Sequence, residues 1–241
     1  MAQPGNDYWV GSGTWICVKP WTEWVLLCMY NPEDGEPDTS EAAVIERART
    51  TIGDDSVDIR IKAVSTWQIN HVIADTFGKG HVFLAGDAAH RHPPANGLGT
   101  NTSVQDSFNL AWKLAMVLRG HADPALLDTY TQERQPVGEQ VVDRAMRSVR
   151  DMLPISQALG FEPGQSAEDG WRMLAELFSG TEQGAARRRQ LDDAVALQNY
   201  QFNAHGVELG QRYSSACVIN DGTDYPPDDR DPEPVSYTHL R

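Results

Sequence analysis

The chain has 241 residues, of which 40% are hydrophobic, and its formal net charge is −14 at pH 7. This length is enough for one large domain or two small ones, and the apolar content predicts a folded protein rather than a disordered one. A protein that binds nucleic acid usually presents a basic face, so the acidic net charge argues against a nucleic-acid partner. It also argues against binding to an anionic membrane surface.

The three cysteines, Cys17, Cys28 and Cys217, stand far apart and include no CxxC pair. This pattern indicates neither a disulfide framework nor a zinc site, and it fits a reducing compartment. The longest apolar run, residues 24–30, is far too short to cross a bilayer, and residues 1–7 do not resemble a signal peptide. We therefore expect a cytoplasmic protein without a membrane partner.

The first third of the chain predicts a sheet with one helix. Alternating or β-branched and aromatic residues predict strand over residues 14–19, 23–30 and 57–74. A helix is predicted to begin after the N-cap Ser40 and to end at Gly53.

Residues 81–85 form a short apolar segment between two glycines, which is typical of a buried strand in a parallel sheet. A loop rich in proline and glycine follows over residues 88–99. The next segment, residues 101–118, predicts a helix that ends at Gly120. Its apolar face would consist of Val104, Phe108, Ala111, Leu114, Ala115 and Leu118.

The last part of the chain predicts helices over residues 124–152, 167–178 and 182–198, with a break near Pro136. The arginines at 187–189 are interpreted as a solvated helix face. From residue 214 onward the chain is polar and rich in proline and aspartate, which predicts loop.

Gly86 and Asp87 come directly after the predicted buried strand, at the edge where open α/β sheets place ligands. Gly86 permits close approach of a ligand to the backbone, and the carboxylate of Asp87 can accept hydrogen bonds from sugar-like hydroxyls. Gly97 and Gly99 leave backbone N–H groups open just before a helix, where partial negative charge is favoured. These parts suit a flavin, with the carboxylate on the ribityl chain and the helix start at the isoalloxazine.

Residues 82–101 resemble the "GD" flavin motif of the single-component aromatic hydroxylases, the family of p-hydroxybenzoate hydroxylase and phenol hydroxylase. Residues 105–114 and 127–136 resemble the next helices of the same family. The similarity is strong over residues 64–140, weaker on both sides, and closest to the bacterial chlorophenol hydroxylases. A match of this length is far more specific than a lone glycine motif.

The resemblance implies an α/β fold, present here as an α+β fragment. The fragment would comprise part of a Rossmann-like FAD-binding domain and the sheet of a substrate-binding domain. The expected regions are a substrate-binding sheet over 1–74, a second segment of the FAD-binding domain over 75–122, and a helical C-terminal region over 123–241. The cofactor would be FAD, with NADPH as co-substrate. Carried over by position, the cofactor-binding residues are Gly86, Asp87, Pro94, Gly97, Gly99, Thr100 and Asn101.

A complete flavin site of this kind also needs a strand, a GxGxxG turn and a helix that bind the pyrophosphate. Gly11 and Gly13 lack the third glycine and lead into a predicted strand, and Gly97 and Gly99 follow a proline-rich loop. We therefore expect that the N-terminal GxGxxG unit is missing from this chain. Residues 236–241 also depart from the family pattern, and the catalytic residues remain unassigned.

The resemblance implies a monooxygenase that uses NADPH and O₂ to hydroxylate phenols or chlorophenols ortho to the hydroxyl group. The alternatives are a flavin-linked oxidoreductase of the same superfamily without oxygen insertion, and a non-catalytic fragment without a stable flavin site. His90 and His92 could suggest a metal, but no third ligand accompanies them, so no metal is expected. The partner would be a small phenol, and a homodimer is left open.

Overall fold

The computed structural model describes residues 7–10, 13–162, 165–202, 211–219 and 222. Helices and small antiparallel sheets make up the structure, which confirms the α+β class. The chain divides into two compact units, Met1–Gln68 and Ile69–Arg241. The predictions for the N-terminal residues 1–6, for Gly11 and for residues 236–241 lie outside the described residues.

The first unit contains a three-stranded antiparallel sheet in the order β1-β2-β3. The strands are β1 (Asp7–Val10), β2 (Gly13–Lys19) and β3 (Glu23–Leu27). Both strands predicted here are present, but β3 ends at Leu27 and not at residue 30. The register places Ile16 opposite Val25, and the indole Nε1 of Trp15 donates to Thr51 Oγ1 at 3.1 Å.

The helix α1 (Glu41–Ile52) has the predicted bounds because both of its ends are capped as the sequence indicates. The Ser40 side chain accepts the N–H of Ala43, and Gly53 closes the helix in the left-handed region with φ 75°. The strand predicted over residues 57–74 is wrong except for its end, since residues 57–71 form no ladder. Such residues favour extended backbone, but a strand also needs a paired neighbour, and none of the described strands pairs with this segment.

The second unit begins with two short antiparallel pairs. The strand β4 (Val72–Ile73) pairs with β7 (His90–Arg91), and β5 (Gly78–Lys79) pairs with β6 (Val82–Phe83). The prediction of a buried parallel strand over residues 81–85 is therefore wrong. Gly80 has φ 62°, which allows a tight turn that folds β6 back on β5 and leaves Val82 66% exposed.

Five helices follow in the described residues: α2 (Gly99–Leu118), α3 (Thr129–Leu159), α4 (Ala167–Leu177), α5 (Glu182–Leu197) and α6 (Asn199–Phe202). The helices predicted from the sequence are confirmed, but the break near Pro136 is wrong, because α3 continues through Pro136 and Pro154. A proline removes one helical hydrogen bond, and we attribute the continuity of α3 to the long buried face that this helix packs against its neighbours.

The hydrophobic core of the second unit centres on Phe77, Ala89 and Tyr130, which are all buried. The Phe77 and Tyr130 rings lie 6.0 Å apart between centroids, a separation typical of favourable aromatic pairs. Tyr130 Oη donates to the carbonyl of Leu84 at 2.8 Å. This contact holds the segment after β6 against α3 and so fixes the start of the predicted flavin motif.

Most of the apolar face predicted for α2 is exposed rather than buried: Val104 is 62%, Phe108 74% and Leu118 82% accessible to solvent. Leu114 and Ala115 of the same face are half-buried. The buried face carries polar residues instead, namely Thr102, Asp106, Asn109 and Lys113. This reversal has a physical reason, because ionised and amide groups on that face find hydrogen-bonding partners on α3, β7 and the turn after β6.

The solvated face predicted for the arginines at 187–189 is wrong for two of them. Arg187 donates to the carbonyls of Ala158 and Met173, and Arg188 donates to the carbonyl of Leu177. The carbonyls of Ala158 and Leu177 lie in the last turns of α3 and α4, where cations are favoured.

Among the described residues, no helix is both long enough and apolar enough to cross a membrane.

Candidate flavin-binding site

The turn after β6, which we call the GD turn (Gly86–Ala88), places two neighbouring residues in opposite environments. Gly86 is buried with φ 57°, and a Cβ added to it would lie 2.9 Å from Ser103 Oγ, so glycine alone fits. The N–H of Ala89 donates to the carbonyl of Gly86 at 2.8 Å, which closes the turn. Asp87 is exposed. The turn therefore presents a carboxylate to the outside on a tightly held backbone.

The loop before α2 turns in the left-handed region at two consecutive residues, Asn96 with φ 70° and Gly97 with φ 63°. Apart from Gly97 itself and its two chain neighbours, no described residue has an atom within 4 Å of a Cβ built on Gly97, so this side of the loop is open. The Asn96 amide donates to the carbonyl of Gln201 at 3.1 Å, which holds the loop against α6. A non-glycine residue in this region is strained, and such strain is common at functional sites.

The start of α2 differs from those of α1, α4 and α5 because its N-cap position, Leu98, supplies no side-chain hydrogen bond. Ser40, Ser166 and Thr181 cap the other three helices. The first turn of α2 also carries no acidic residue. Without a side-chain cap, the first N–H groups and the positive dipole end of α2 favour a group with partial negative charge.

Beneath the GD turn, Asp106 is fully buried and accepts hydrogen bonds from three parts of the chain. The donors are the N–H of Gly86 at 3.1 Å, His90 Nε2 at 2.7 Å and Arg134 Nε at 2.8 Å. Burial raises the pKa of Asp106, but the hydrogen bonds from His90 and Arg134 and the charge of Arg134 outweigh it and hold the pKa below its usual range. The carboxylate is therefore ionised and fully engaged.

A second buried ion pair joins the same two helices nearer the C-terminal end of α2. Lys113 Nζ lies 2.7 Å from Glu133 Oε2, which also accepts from the amide of Asn109 at 2.8 Å. Ser215 Oγ donates to the other oxygen of Glu133 at 2.8 Å. Burial alone would raise the pKa of Glu133. The hydrogen bonds and the charge of Lys113 lower the pKa by more than burial raises it, so the net shift is downward.

His90 and His92, considered above as metal ligands, have other partners. His90 is bound to Asp106, and His92 Nδ1 donates to the carbonyl of Pro93 at 2.7 Å. Within the described part of the chain, no group of three or more His, Cys, Asp or Glu side chains could hold a metal ion. Asp106 and Arg134 were not predicted as site residues from the sequence, although the polar stripe of α2 indicates a buried network.

The seven predicted cofactor-binding residues lie in the GD turn, in the loop that follows it and in the first turn of α2. Gly86 is buried and can offer only backbone, Gly99 is half-buried, and the others are exposed: Asp87, Pro94, Gly97, Thr100 and Asn101. The amide of Asn101 donates to the carbonyl of Gly97 at 3.2 Å, which ties the loop to the helix. An exposed carboxylate can accept from ribityl hydroxyls, and an uncapped helix start favours partial negative charge, so the chemistry of these residues is compatible with FAD.

Residues 7–145 match the family described as "FAD binding domain", and the chain belongs to this family. It is 47% identical over 224 residues to 2,4-dichlorophenol 6-monooxygenase of Cupriavidus pinatubonensis (strain JMP 134 / LMG 1197), a match that covers 92% of this chain and 38% of that protein. It is 41% identical over 215 residues to phenol 2-monooxygenase of Pseudomonas sp. (strain EST1001), covering 89% of this chain and 35% of that one.

A solved structure is also similar to the chain. The flavin-dependent monooxygenase PieE, in complex with FAD and substrate, superposes with a TM-score of 0.85 at 49% identity, over 92% of this chain and 38% of PieE. The resemblance to flavin-dependent aromatic hydroxylases predicted from the sequence is thereby confirmed. The chain spans less than two fifths of the length of each of these proteins.

Proposed function

We propose that the chain supplies the ribityl and isoalloxazine side of the FAD site in a flavoprotein monooxygenase. One observation carries the proposal: the exposed Asp87 carboxylate and the uncapped start of α2 lie at the two ends of one continuous stretch of chain. A carboxylate suits the ribityl hydroxyls, and a helix N-terminus suits the partial negative charge of the pyrimidine edge of a flavin.

Each predicted residue then has a distinct role toward the cofactor. Asp87 accepts hydrogen bonds from ribityl hydroxyls, and Gly86 allows the backbone to come close to them. Pro94, Gly97 and Gly99 shape the loop along the isoalloxazine ring, and Thr100 and Asn101 place the first N–H groups of α2 beside it. The protein groups bind and orient the cofactor, and they limit access of water to it.

When bound, FAD supplies transfer of electrons from NADPH and activation of O₂, which no side chain can provide. We propose a phenol or a chlorophenol as the substrate, hydroxylated ortho to its hydroxyl group, because the two curated relatives named above are a phenol and a dichlorophenol monooxygenase. The electron-rich phenolate form of such a ring favours attack on an electrophilic oxygen. We also propose a cytoplasmic location, because the three cysteines are free.

Product analysis tests the proposed activity. The full-length protein that carries this chain is incubated with FAD, NADPH, O₂ and either phenol or 2,4-dichlorophenol, and the ring products are identified by mass spectrometry. We expect an ortho-hydroxylated product whose amount follows NADPH consumption. If NADPH were consumed but neither phenol nor 2,4-dichlorophenol gave a hydroxylated ring, the protein would instead be assigned as a flavin-linked oxidoreductase without oxygen insertion.

A further inference from the structure

Gly86 and His90, which stand on either side of Asp87, are both held by one buried side chain. Asp106 Oδ2 accepts from the N–H of Gly86 at 3.1 Å and from His90 Nε2 at 2.7 Å. An ionised carboxylate has no hydrogen to donate. The imidazole Nε2 of His90 therefore carries the hydrogen in its contact with Asp106. Asp106 therefore holds both ends of the short segment that contains Asp87.

The orientation of Asp106 is itself fixed from the far side. Its second oxygen, Oδ1, accepts from Arg134 Nε at 2.8 Å, and Arg134 also donates to Gln211 Oε1 and Tyr213 Oη at 2.8 and 2.9 Å. Asp106 and Arg134 are fully buried. Since both carboxylate oxygens are engaged and no part of the side chain reaches solvent, Asp106 cannot bind a ligand directly.

The Gly86 N–H points inward to Asp106, and this orientation restricts the direction of the next side chain, Asp87. Gly86 is buried on the side of α2, and Asp87, one residue later, is exposed. If the inward bonds were lost, the turn could rotate, and the Asp87 carboxylate would be distributed over several directions. Positioning of a binding group by a buried hydrogen-bonding partner commonly changes ligand affinity strongly without any contact to the ligand.

We propose that Asp106 is a positioning residue for the flavin, which fixes the segment from Gly86 to His90 so that Asp87 faces the ribityl chain. This inference rests on the proposed function and extends it to a residue that does not touch the cofactor. Its main competitor is a purely structural role, in which Asp106 only holds α2 against α3.

Glu133→Gln provides a matched control for Asp106→Asn. Glu133 is also a buried carboxylate between α2 and α3, it also pairs with a buried cation, and its bonds go to Lys113, Asn109 and Ser215 rather than to the GD turn. Both substitutions remove one buried negative charge and leave an amide of the same shape. They differ in whether the affected side chain contacts the residues that flank Asp87.

The experiment measures FAD dissociation constants by flavin fluorescence, visible circular dichroism of the bound flavin, and Tm, for the full-length protein and both variants. We expect both variants to lose thermal stability. We also expect Asp106→Asn to weaken FAD binding by about tenfold and to alter the flavin dichroism, with Glu133→Gln within about twofold of the wild type in affinity. Equal effects of the two variants on FAD, or an unchanged affinity and spectrum in Asp106→Asn, would overturn the proposal.

A second pair of variants serves where Asp106→Asn is too unstable to purify. In His90→Gln, the new amide keeps a donor near the position of Nε2. In His90→Asn, the side chain is one methylene shorter, and its amide does not reach Asp106. We expect FAD affinity to be retained in His90→Gln and lost by several fold in His90→Asn. Equal affinity in the two variants would contradict the positioning role, and absence of FAD binding by the wild-type protein would instead overturn the proposed function.

Discussion

At the residue scale, the candidate site depends on a contrast between two neighbours in the GD turn. Gly86 is buried in a left-handed conformation against Ser103, and Asp87 is exposed. The sequence predicted both as flavin-contacting residues from their order after an apolar segment. It could not predict the hydrogen bond from the Gly86 N–H to Asp106, because the two residues are 20 positions apart and meet only when α2 packs beneath the turn.

Removal of the Asp87 carboxylate tests the contact to the ribityl chain. We expect Asp87→Ala to weaken FAD binding to the full-length protein by about 1–3 kcal/mol, the usual cost of removing a charged hydrogen-bonding partner. Asp192→Ala removes the same charge from an exposed position on α5 and serves as the control. Fluorescence titration gives both affinities, and equal values for the two variants would show that the carboxylate does not contact the flavin.

The buried carboxylates also predict how stability depends on pH. The pKa values of Asp106 and Glu133 are lowered in the folded chain, so each stabilises the fold above its unfolded pKa, about 3.9 for Asp and 4.3 for Glu. This contribution is lost as the pH falls through the lower folded values. We expect Asp106→Asn and Glu133→Gln to be less stable than the wild type at pH 7 and to lose less stability between pH 5 and pH 2. Urea unfolding at each pH measures this, and pH profiles parallel to the wild type would contradict it.

At the element scale, α1 and α2 show what sequence patterns can and cannot determine. The bounds of α1 follow from Ser40 and Gly53, because caps act within one helical turn and are visible locally. The bounds of α2 were also predicted, but its buried face was not. The apolar residues indicated a core stripe, yet the structure buries Asp106 and Lys113 against α3.

Strand predictions failed where pairing decides the outcome. Residues 57–71 and 81–85 have the composition of strands, but a ladder depends on a partner that composition does not reveal. Val82 and Phe83 do form a strand, although its partner is the hairpin neighbour β5 rather than a parallel strand. Local turn chemistry at Gly80 therefore outweighed the preference of an apolar segment for a parallel sheet.

The exposed face of α2 leads to a prediction about unfolding energies. Phe108 is 74% exposed, whereas Tyr130 on α3 is fully buried. In the 241-residue chain we expect Phe108→Ala to change the free energy of unfolding by less than about 0.5 kcal/mol, and Tyr130→Ala to reduce it by about 3–5 kcal/mol. Urea denaturation gives both values, and a large loss in Phe108→Ala would show that this face is packed in the folded chain.

At the scale of the whole molecule, we propose that the chain holds one part of a flavin site. The sequence contains the GD turn and the loop before α2, and it contains no strand followed by GxGxxG and a helix, which is the unit that binds a dinucleotide pyrophosphate. The match to 2,4-dichlorophenol 6-monooxygenase covers 38% of that protein. The family could be predicted from sequence because the motif is long and contiguous, whereas catalytic residues could not be assigned from this chain.

Titration of residues 1–241 with FAD, beside the full-length protein, tests most directly whether the chain holds only part of the site. Flavin fluorescence reports binding, and NADPH consumption with a phenol reports turnover. We expect tight FAD binding and turnover from the full-length protein, and weak or undetectable binding without hydroxylation from residues 1–241, because the anchor for the pyrophosphate is lacking. Tight, stoichiometric FAD binding with substrate-dependent turnover by residues 1–241 alone would contradict this account and mean that the chain contains a complete flavin site.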